Sequence, residues 1–188
     1  MVLVDIQENI DLTIAVHEPK WHFSIINFED YVNKVCLATL NHQLKHLQQY
    51  CPAIANEMAG IALVFTNSNE VQNLNKQFRG KDAPTNVLSF AADMQGVQPE
   101  GQEIILGDII FSHQVIEAEA VEQGKSFVNH FTHMIIHGLL HLLGYDHIIE
   151  AEADIMEQIE RDILHIFHIS NPYLINEQEY DINQLHGT

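Results

Sequence analysis

Three imidazoles at fixed spacing constrain this chain more than anything else in it. The run His137-Gly138-Leu139-Leu140-His141-Leu142-Leu143-Gly144-Tyr145-Asp146-His147 reads H-x3-H-x5-H. Side chains four apart on an α-helix lie on one face, about 6 Å from one another, so His137 and His141 can turn their ring nitrogens toward one ion. Gly144 stands just past the last periodic apolar residue, where a left-handed terminator belongs, and folding back there brings His147 to the same place. Three neutral nitrogens with a fourth position open form the donor set of a catalytic zinc, whereas structural zinc closes that position with protein, often with cysteine. Only Cys36 and Cys51 are present, both remote in sequence. The pattern therefore predicts one zinc ion per chain, held by His137, His141 and His147.

Histidine is abundant here, with 13 in 188 residues, so the pattern has to be weighed against chance. His17, His22, His42, His46, His165, His168 and His186 fall in no ligand-like spacing. The trio differs because it interrupts a segment that is otherwise wholly apolar from Met134 to Leu143, a poor place for imidazoles with no task. His133 shares the face but is eight residues from His141, a rise of about 12 Å, too far for both to share an ion. It reads as a pocket wall in contact with substrate, or as a group that orients a ligand. Asp146 could orient a ligand imidazole through its second N–H, or cap the turn.

The same spacing, glycine included, occurs in metzincin peptidases, whose pattern is H-E-x-x-H-x-x-G-x-x-H. Where those enzymes carry the glutamate that serves as general base, this chain has Gly138. The zinc scaffold is kept and the peptide-hydrolysing base is absent.

The segment from His133 to His147 is one of four ordered motifs. The others are Leu74-Asn75-Lys76-Gln77-Phe78-Arg79-Gly80-Lys81-Asp82, Pro84-Thr85-Asn86-Val87-Leu88-Ser89-Phe90 and Leu106-Gly107-Asp108-Ile109. Together they resemble the YbeY family. The resemblance implies a metal-dependent, single-strand-specific endoribonuclease acting in ribosomal RNA maturation and ribosome quality control. It places the family's three signature histidines on His137, His141 and His147, and its functional arginine on Arg79. Asn86 stands where many relatives have Asp. The implied partners are single-stranded RNA, ribosomal RNA or ribosome-associated factors, with neither membrane nor DNA among them.

The expected reaction is hydrolysis of an RNA phosphodiester by a zinc-bound water, with attack by the ribose 2′-hydroxyl as the open alternative. Arg79 is the catalytic candidate, because a planar guanidinium can hold the non-bridging oxygens as charge grows on them. Lys76, Lys81, Thr85, Asn86, Ser89 and His133 are candidate substrate contacts. Two other classes share the histidines. A metal-dependent hydrolase of peptides or small molecules would not require Arg79, and a ribosome-associated binding protein with structural zinc would need no turnover.

Net charge argues against a polyanionic partner, since it is −18 with histidine neutral. Distribution softens the objection. Lys76, Arg79 and Lys81, three of eight basic residues, fall within six positions, while ten acids and one arginine fill the stretch from Asp146 to Asp181. A short basic edge predicts weak RNA contact with a small footprint and modest salt dependence. Alternatively, these three are solvated cations at a helix end, favoured there by the dipole.

A 46% hydrophobic content over 188 residues suits one domain with a sizeable core. Two cysteines are too few for a disulfide framework, and no leader or membrane span is legible, so a cytoplasmic protein is expected. Patterning predicts strands at Val2 to Ile6, Ala59 to Phe65, Val87 to Ala91 and Ile109 to Phe111, with a Gly- and Pro-bearing loop from Gln95 to Gly101. Helices are predicted from Phe28 to Leu47, from the Asn67 cap to Arg79 with Gly80 closing it, and over His113 to Gln123, Ser126 to Leu143 and Glu150 to His168. The result is an α+β domain: a small mixed sheet of about four strands packed by helices, with a metal-bearing helix like that of zinc hydrolases. The antiparallel share rests on the resemblance. Residues 1–169 are expected to form the catalytic domain, and the polar stretch 170–188 a mobile tail.

Overall fold

The computed structural model describes residues 9–55, 57–93 and 103–174. The strand expected at Val2 to Ile6, the loop from Gln95 to Gly101 and the end of the chain beyond residue 174 lie outside the described residues.

Among the described residues, four strands form one mixed sheet in the order β1-β2-β4-β3, from β1 (Ile10–Val16), β2 (Ala59–Thr66), β3 (Val87–Ala91) and β4 (Ile104–Ser112). β1 and β4 both run parallel to β2, and β3 pairs antiparallel with β4. Seven α-helices among the described residues surround it: α1 (Lys20–Ser24), α2 (Phe28–His42), α3 (Leu44–Tyr50), α4 (Ser68–Arg79), α5 (His113–Glu122), α6 (Phe127–Leu142) and α7 (Glu150–Ile166). β1 is an element the sequence reading missed, although Ile10, Leu12, Ile14 and Val16 alternate with Asp11, Thr13 and Ala15.

Two expectations need correction. The helix from Phe28 to Leu47 is broken at Gln43, whose φ of −97° and ψ of 12° separate α2 from α3. The strand expected at Ile109 begins at Ile104 instead. Its alternation is hidden by a bulge: Gly60 pairs with Ile105 but Ile61 pairs with Gly107, leaving Leu106 as an extra residue. Leu106 and Ile109 consequently both face the main core, and the period-2 pattern breaks between them.

The sheet is covered unequally. On one face, among the described residues, α4 packs Val71 and Leu74 against Leu88, Phe90 and Ile110. On the other, Leu63, Phe65, Ile109 and Phe111 meet a thick helical layer in which α6 is central, touching α2, α5, α7, β3 and β4. Trp21 is buried there among Phe28, Phe65, Phe127 and Phe131, with ring centroids 4.8–5.8 Å away, and its Nε1 donates to the Thr66 carbonyl at 3.1 Å. Such a cluster combines large apolar burial with a satisfied polar handle.

β3 is the outer strand beside α6. Asn86 accepts from Ser112 and Ala92 donates to Leu106, so even-numbered backbone groups bond β4 and odd-numbered ones face outward. Two outward groups are taken by side chains. Asn86 Oδ1 accepts from the Val87 N–H at 2.7 Å, and Arg79 Nη2 donates to the Ser89 carbonyl at 2.9 Å.

Candidate metal centre

Helix α6 begins where Ser126 Oγ accepts from the Asn129 N–H at 3.1 Å. It ends in a Schellman turn: Tyr145 N–H bonds the Leu140 carbonyl at 3.0 Å and Gly144 N–H the His141 carbonyl at 3.1 Å. Gly144 has φ +85°, and a Cβ there would sit 2.8 Å from Tyr50 Cε2, so both conformation and space require glycine. The turn carries the chain back over the helix end and sets His147 beside His137 and His141.

The three imidazoles come together as the spacing predicts. Their ligand atoms lie within 4.8 Å of one another, and ring centroids are 4.6 Å apart for His137 and His141, 5.3 Å for His137 and His147, and 5.1 Å for His141 and His147. Orientation is fixed from behind. His137 Nδ1 donates to Glu160 Oε1 at 2.8 Å, and His141 Nδ1 donates to the Tyr145 carbonyl at 3.0 Å. Carboxylate and carbonyl oxygens only accept, so both Nδ1 atoms carry the hydrogen and both Nε2 atoms present lone pairs. Those Nε2 atoms are 3.1 Å apart. Two facing lone pairs repel unless a cation or shared proton lies between them, so the residues present fit a metal ion. Burial, then the neighbouring His137, lowers the His141 pKa and favours the neutral ring that a metal needs.

Glu160 was not found by sequence reading. It lies on α7, one turn from Met156 and Leu164 on the buried face, and it is 0 % exposed. Burial would raise its pKa, but hydrogen bonds from His133 and His137 outweigh that and hold it at about 2. His133 is itself buried and donates Nε2–H to Glu160 Oε2 at 2.9 Å. Tyr173, beyond α7, donates its hydroxyl to the same oxygen. A carboxylate spaced like a core residue, one turn from Met156 and Leu164, is the signal the sequence carries.

The histidines form the floor of a cleft of about 840 Å³, whose wall includes Arg79, Lys81, Thr85, Asn86 and Ser89. Besides its bond to Ser89, the Arg79 guanidinium lies 5.8 Å from the Phe90 ring centroid, so the group is held at the cleft while keeping further N–H donors. Two candidate substrate contacts do not line this cleft. Lys76 is paired with Asp82 at 2.6 Å, and His133 is turned inward to Glu160. Asn86 lines the wall with its amide committed, donating to Glu119 at 3.1 Å, and Glu119 also holds His130 at 2.7 Å. Asp146 Oδ1 accepts from the His147 N–H at 2.7 Å.

Gly138, where a metzincin has its glutamate, packs on the sheet. A Cβ there would lie 2.8 Å from Ile109 Cγ2 and 3.3 Å from Ser89 Oγ, which itself donates to the Gly138 carbonyl at 3.2 Å. Glycine permits α6 to approach β3 and β4 closely enough to put the histidines at the strand edge. A longer side chain has no room.

Comparison with known proteins gives a consistent answer. Residues 24–168 match the family model described as Endoribonuclease YbeY. An endoribonuclease YbeY of Rhodopseudomonas palustris is 48% identical over 115 residues, which are 61% of this chain and 60% of that protein. One of Bartonella quintana is 38% identical over 165 residues, which are 87% of this chain and 97% of that protein. A Thermotoga maritima protein of known solution structure shares the fold, with a TM-score of 0.50 over 89% of this chain and 98% of that one at 19% identity.

Proposed function

The chain belongs to the YbeY family of endoribonucleases, and from that premise we propose that it cuts single-stranded RNA at the centre formed by His137, His141 and His147. One observation carries this reading: three inward-facing imidazoles and a restrained guanidinium share a single cleft. Zinc is the proposed ion, one per chain, since the donor set is nitrogen without thiolate. When bound, the ion supplies Lewis acidity that polarises a phosphoryl oxygen and acidifies the attacking water.

The remaining tasks fall to the chain's own groups. Arg79 binds non-bridging phosphate oxygens with the donors that Ser89 does not use, and its planar fork resists reorientation as charge develops. Lys81 adds a second cation at the wall. Thr85 and Ser89 have their hydroxyl hydrogens donated to Asn86 Oδ1 and the Gly138 carbonyl, so they offer hydroxyl oxygens that accept from a ribose hydroxyl. Asn86, with both amide ends occupied, contributes shape, and Glu160 with His133 keeps His137 in its ligating tautomer.

The acidic remainder of the surface confines RNA contact to this cleft, giving a short footprint. Residues 1–169 are proposed as the catalytic domain, with a role in ribosomal RNA maturation and ribosome quality control in the cytoplasm. In support, no helix among the described residues is long and apolar enough to cross a membrane, and both cysteines are free.

The test is turnover of single-stranded RNA, duplex RNA and casein by metal-replete protein, with and without chelator. Cleavage of single-stranded RNA alone, stopped by chelator and restored by zinc, is the expected outcome. Hydrolysis of casein, or turnover of nothing, sinks the proposal.

A further inference from the structure

Burying a carboxylate is costly unless its oxygens are fully engaged, and Glu160 has three donors on two oxygens. Oε1 takes His137 Nδ1, while Oε2 takes His133 Nε2 and the Tyr173 hydroxyl. His133 Nδ1 is buried with no partner among the described residues, so the ring engages through Nε2 alone, 2.9 Å from Glu160 Oε2 and 3.3 Å from the Tyr173 hydroxyl. Tyr173 arrives from outside α7 and is held by several contacts. Pro172 O accepts from Lys125 Nζ at 3.1 Å, Tyr173 N–H bonds Asn171 Oδ1 at 2.9 Å, and the Arg161 guanidinium lies 5.9 Å from the Tyr173 ring. Burial, then the charge of Glu160, raises the Tyr173 pKa and keeps its hydroxyl a donor.

We propose that Glu160 is the positioning residue of the metal centre, and that Tyr173, carried by the segment after α7, locks it against His137. Glu160 is not a ligand, because the metal-capable group among the described residues consists of the three histidines alone. Nor does it touch substrate, being fully buried. It acts by making His137 an Nδ1–H tautomer whose Nε2 is free for the ion. The segment 171–174 is thereby part of the site's support, and Tyr173 and Glu160 line a second hollow of about 260 Å³ that His137 and His147 also border.

The inference rests on reading the three histidines as ligands, and the experiment separates the two. Zinc affinity is measured by competition with a chromogenic chelator for wild type, Glu160→Gln, Tyr173→Phe and His137→Ala. The cobalt-substituted proteins are examined by visible absorption, and the histidine tautomers of metal-free protein by long-range ¹H–¹⁵N NMR. Glu160→Gln keeps the volume but can offer an N–H to His137, pushing the proton to Nε2. It is expected to weaken zinc roughly 10- to 100-fold and to shift the cobalt bands. Tyr173→Phe, which removes one hydroxyl, is expected to weaken zinc by several-fold with the wild-type tautomer retained. Affinity within twofold of wild type and unchanged cobalt bands in Glu160→Gln overturn the proposal. Should that variant fail to fold, the wild-type spectrum decides, since His137 found as the Nε2–H tautomer overturns it equally. Unchanged affinity in Tyr173→Phe overturns the locking role. If His137→Ala keeps its zinc, the ligand assignment itself has failed.

Discussion

The two ends of α6 use the same four-residue spacing for opposite purposes. Phe127 and Phe131 at its start enter the aromatic cluster around Trp21, where rings meet at several angles and no single orientation decides the contact. His137 and His141 near its end are each held through one nitrogen by one acceptor, so that the other nitrogen faces the cleft. Apolar packing rewards area and is tolerant of direction. The imidazole end depends on direction and buries less. One end should therefore determine whether the protein stays folded, and the other whether it holds a metal and reacts.

Substitution can break or sharpen that contrast. The largest change is expected from His137→Ala or His141→Ala: zinc content by metal analysis should fall to a trace and RNA cleavage with it, while the fold measured by circular dichroism persists. Phe131→Ala should do the reverse, costing about 3–5 kcal/mol in denaturant unfolding while the folded fraction retains one zinc per chain. Loss of metal in that variant would show the two ends to be coupled. Arg79→Ala should leave stability and zinc unchanged but cost roughly 2–4 kcal/mol of transition-state stabilisation, about 30- to 1,000-fold in kcat/KM. Arg79→Lys should rescue poorly if planar geometry matters more than charge. An effect within twofold at fixed salt would reduce Arg79 to an ordinary helix-end cation.

Smaller effects probe the join between the ends. Gly138→Ala gains about 1 kcal/mol of helix propensity but forces a methyl against Ile109, for a net loss of about 1–2 kcal/mol in chemical denaturation. A gain in stability would mean that α6 can lift from the sheet without penalty. Least of all, Glu119→Gln should flatten the acid limb of stability. Burial raises the Glu119 pKa, but the His130 and Asn86 hydrogen bonds outweigh it and leave the net shift downward. Its contribution is thus present above the ordinary carboxylate pKa and lost as pH falls through the folded value. Denaturation midpoints of wild type and variant, compared from neutral pH downward, should converge; parallel curves would remove Glu119 from the acid response.

Elements whose signals are local were legible in sequence. Asn67 caps α4 by accepting from the Asn69 and Glu70 N–H groups, Gly80 ends it, and β3 spans Val87 to Ala91 as its alternation predicts. The clustering of His137, His141 and His147 was legible for the same reason, since their spacing is a helix repeat plus one turn. What escaped depends on contacts distant in sequence. The break at Gln43 is stabilised by its side chain accepting from the Tyr145 hydroxyl at 2.7 Å, a partner 102 residues away. The start of β4 was masked by the bulge at Leu106, and Glu160 is recognisable only once α7 lies against α6. His133 shared a face with the ligands, but its distance along the helix placed it behind them.

The outward edge of β3 has a consequence for how these molecules meet one another. An unpaired strand beside a broad cleft is a template on which a second chain can lay its own backbone. Here the Val87 N–H and the Ser89 carbonyl, two of the outward groups such an intruder would use, are already occupied by Asn86 and Arg79. The guanidinium proposed to hold phosphate thus also occupies one acceptor of that edge. Removing it frees that carbonyl along with deleting a cation, so light scattering at rising concentration belongs beside any activity measured on an Arg79 variant.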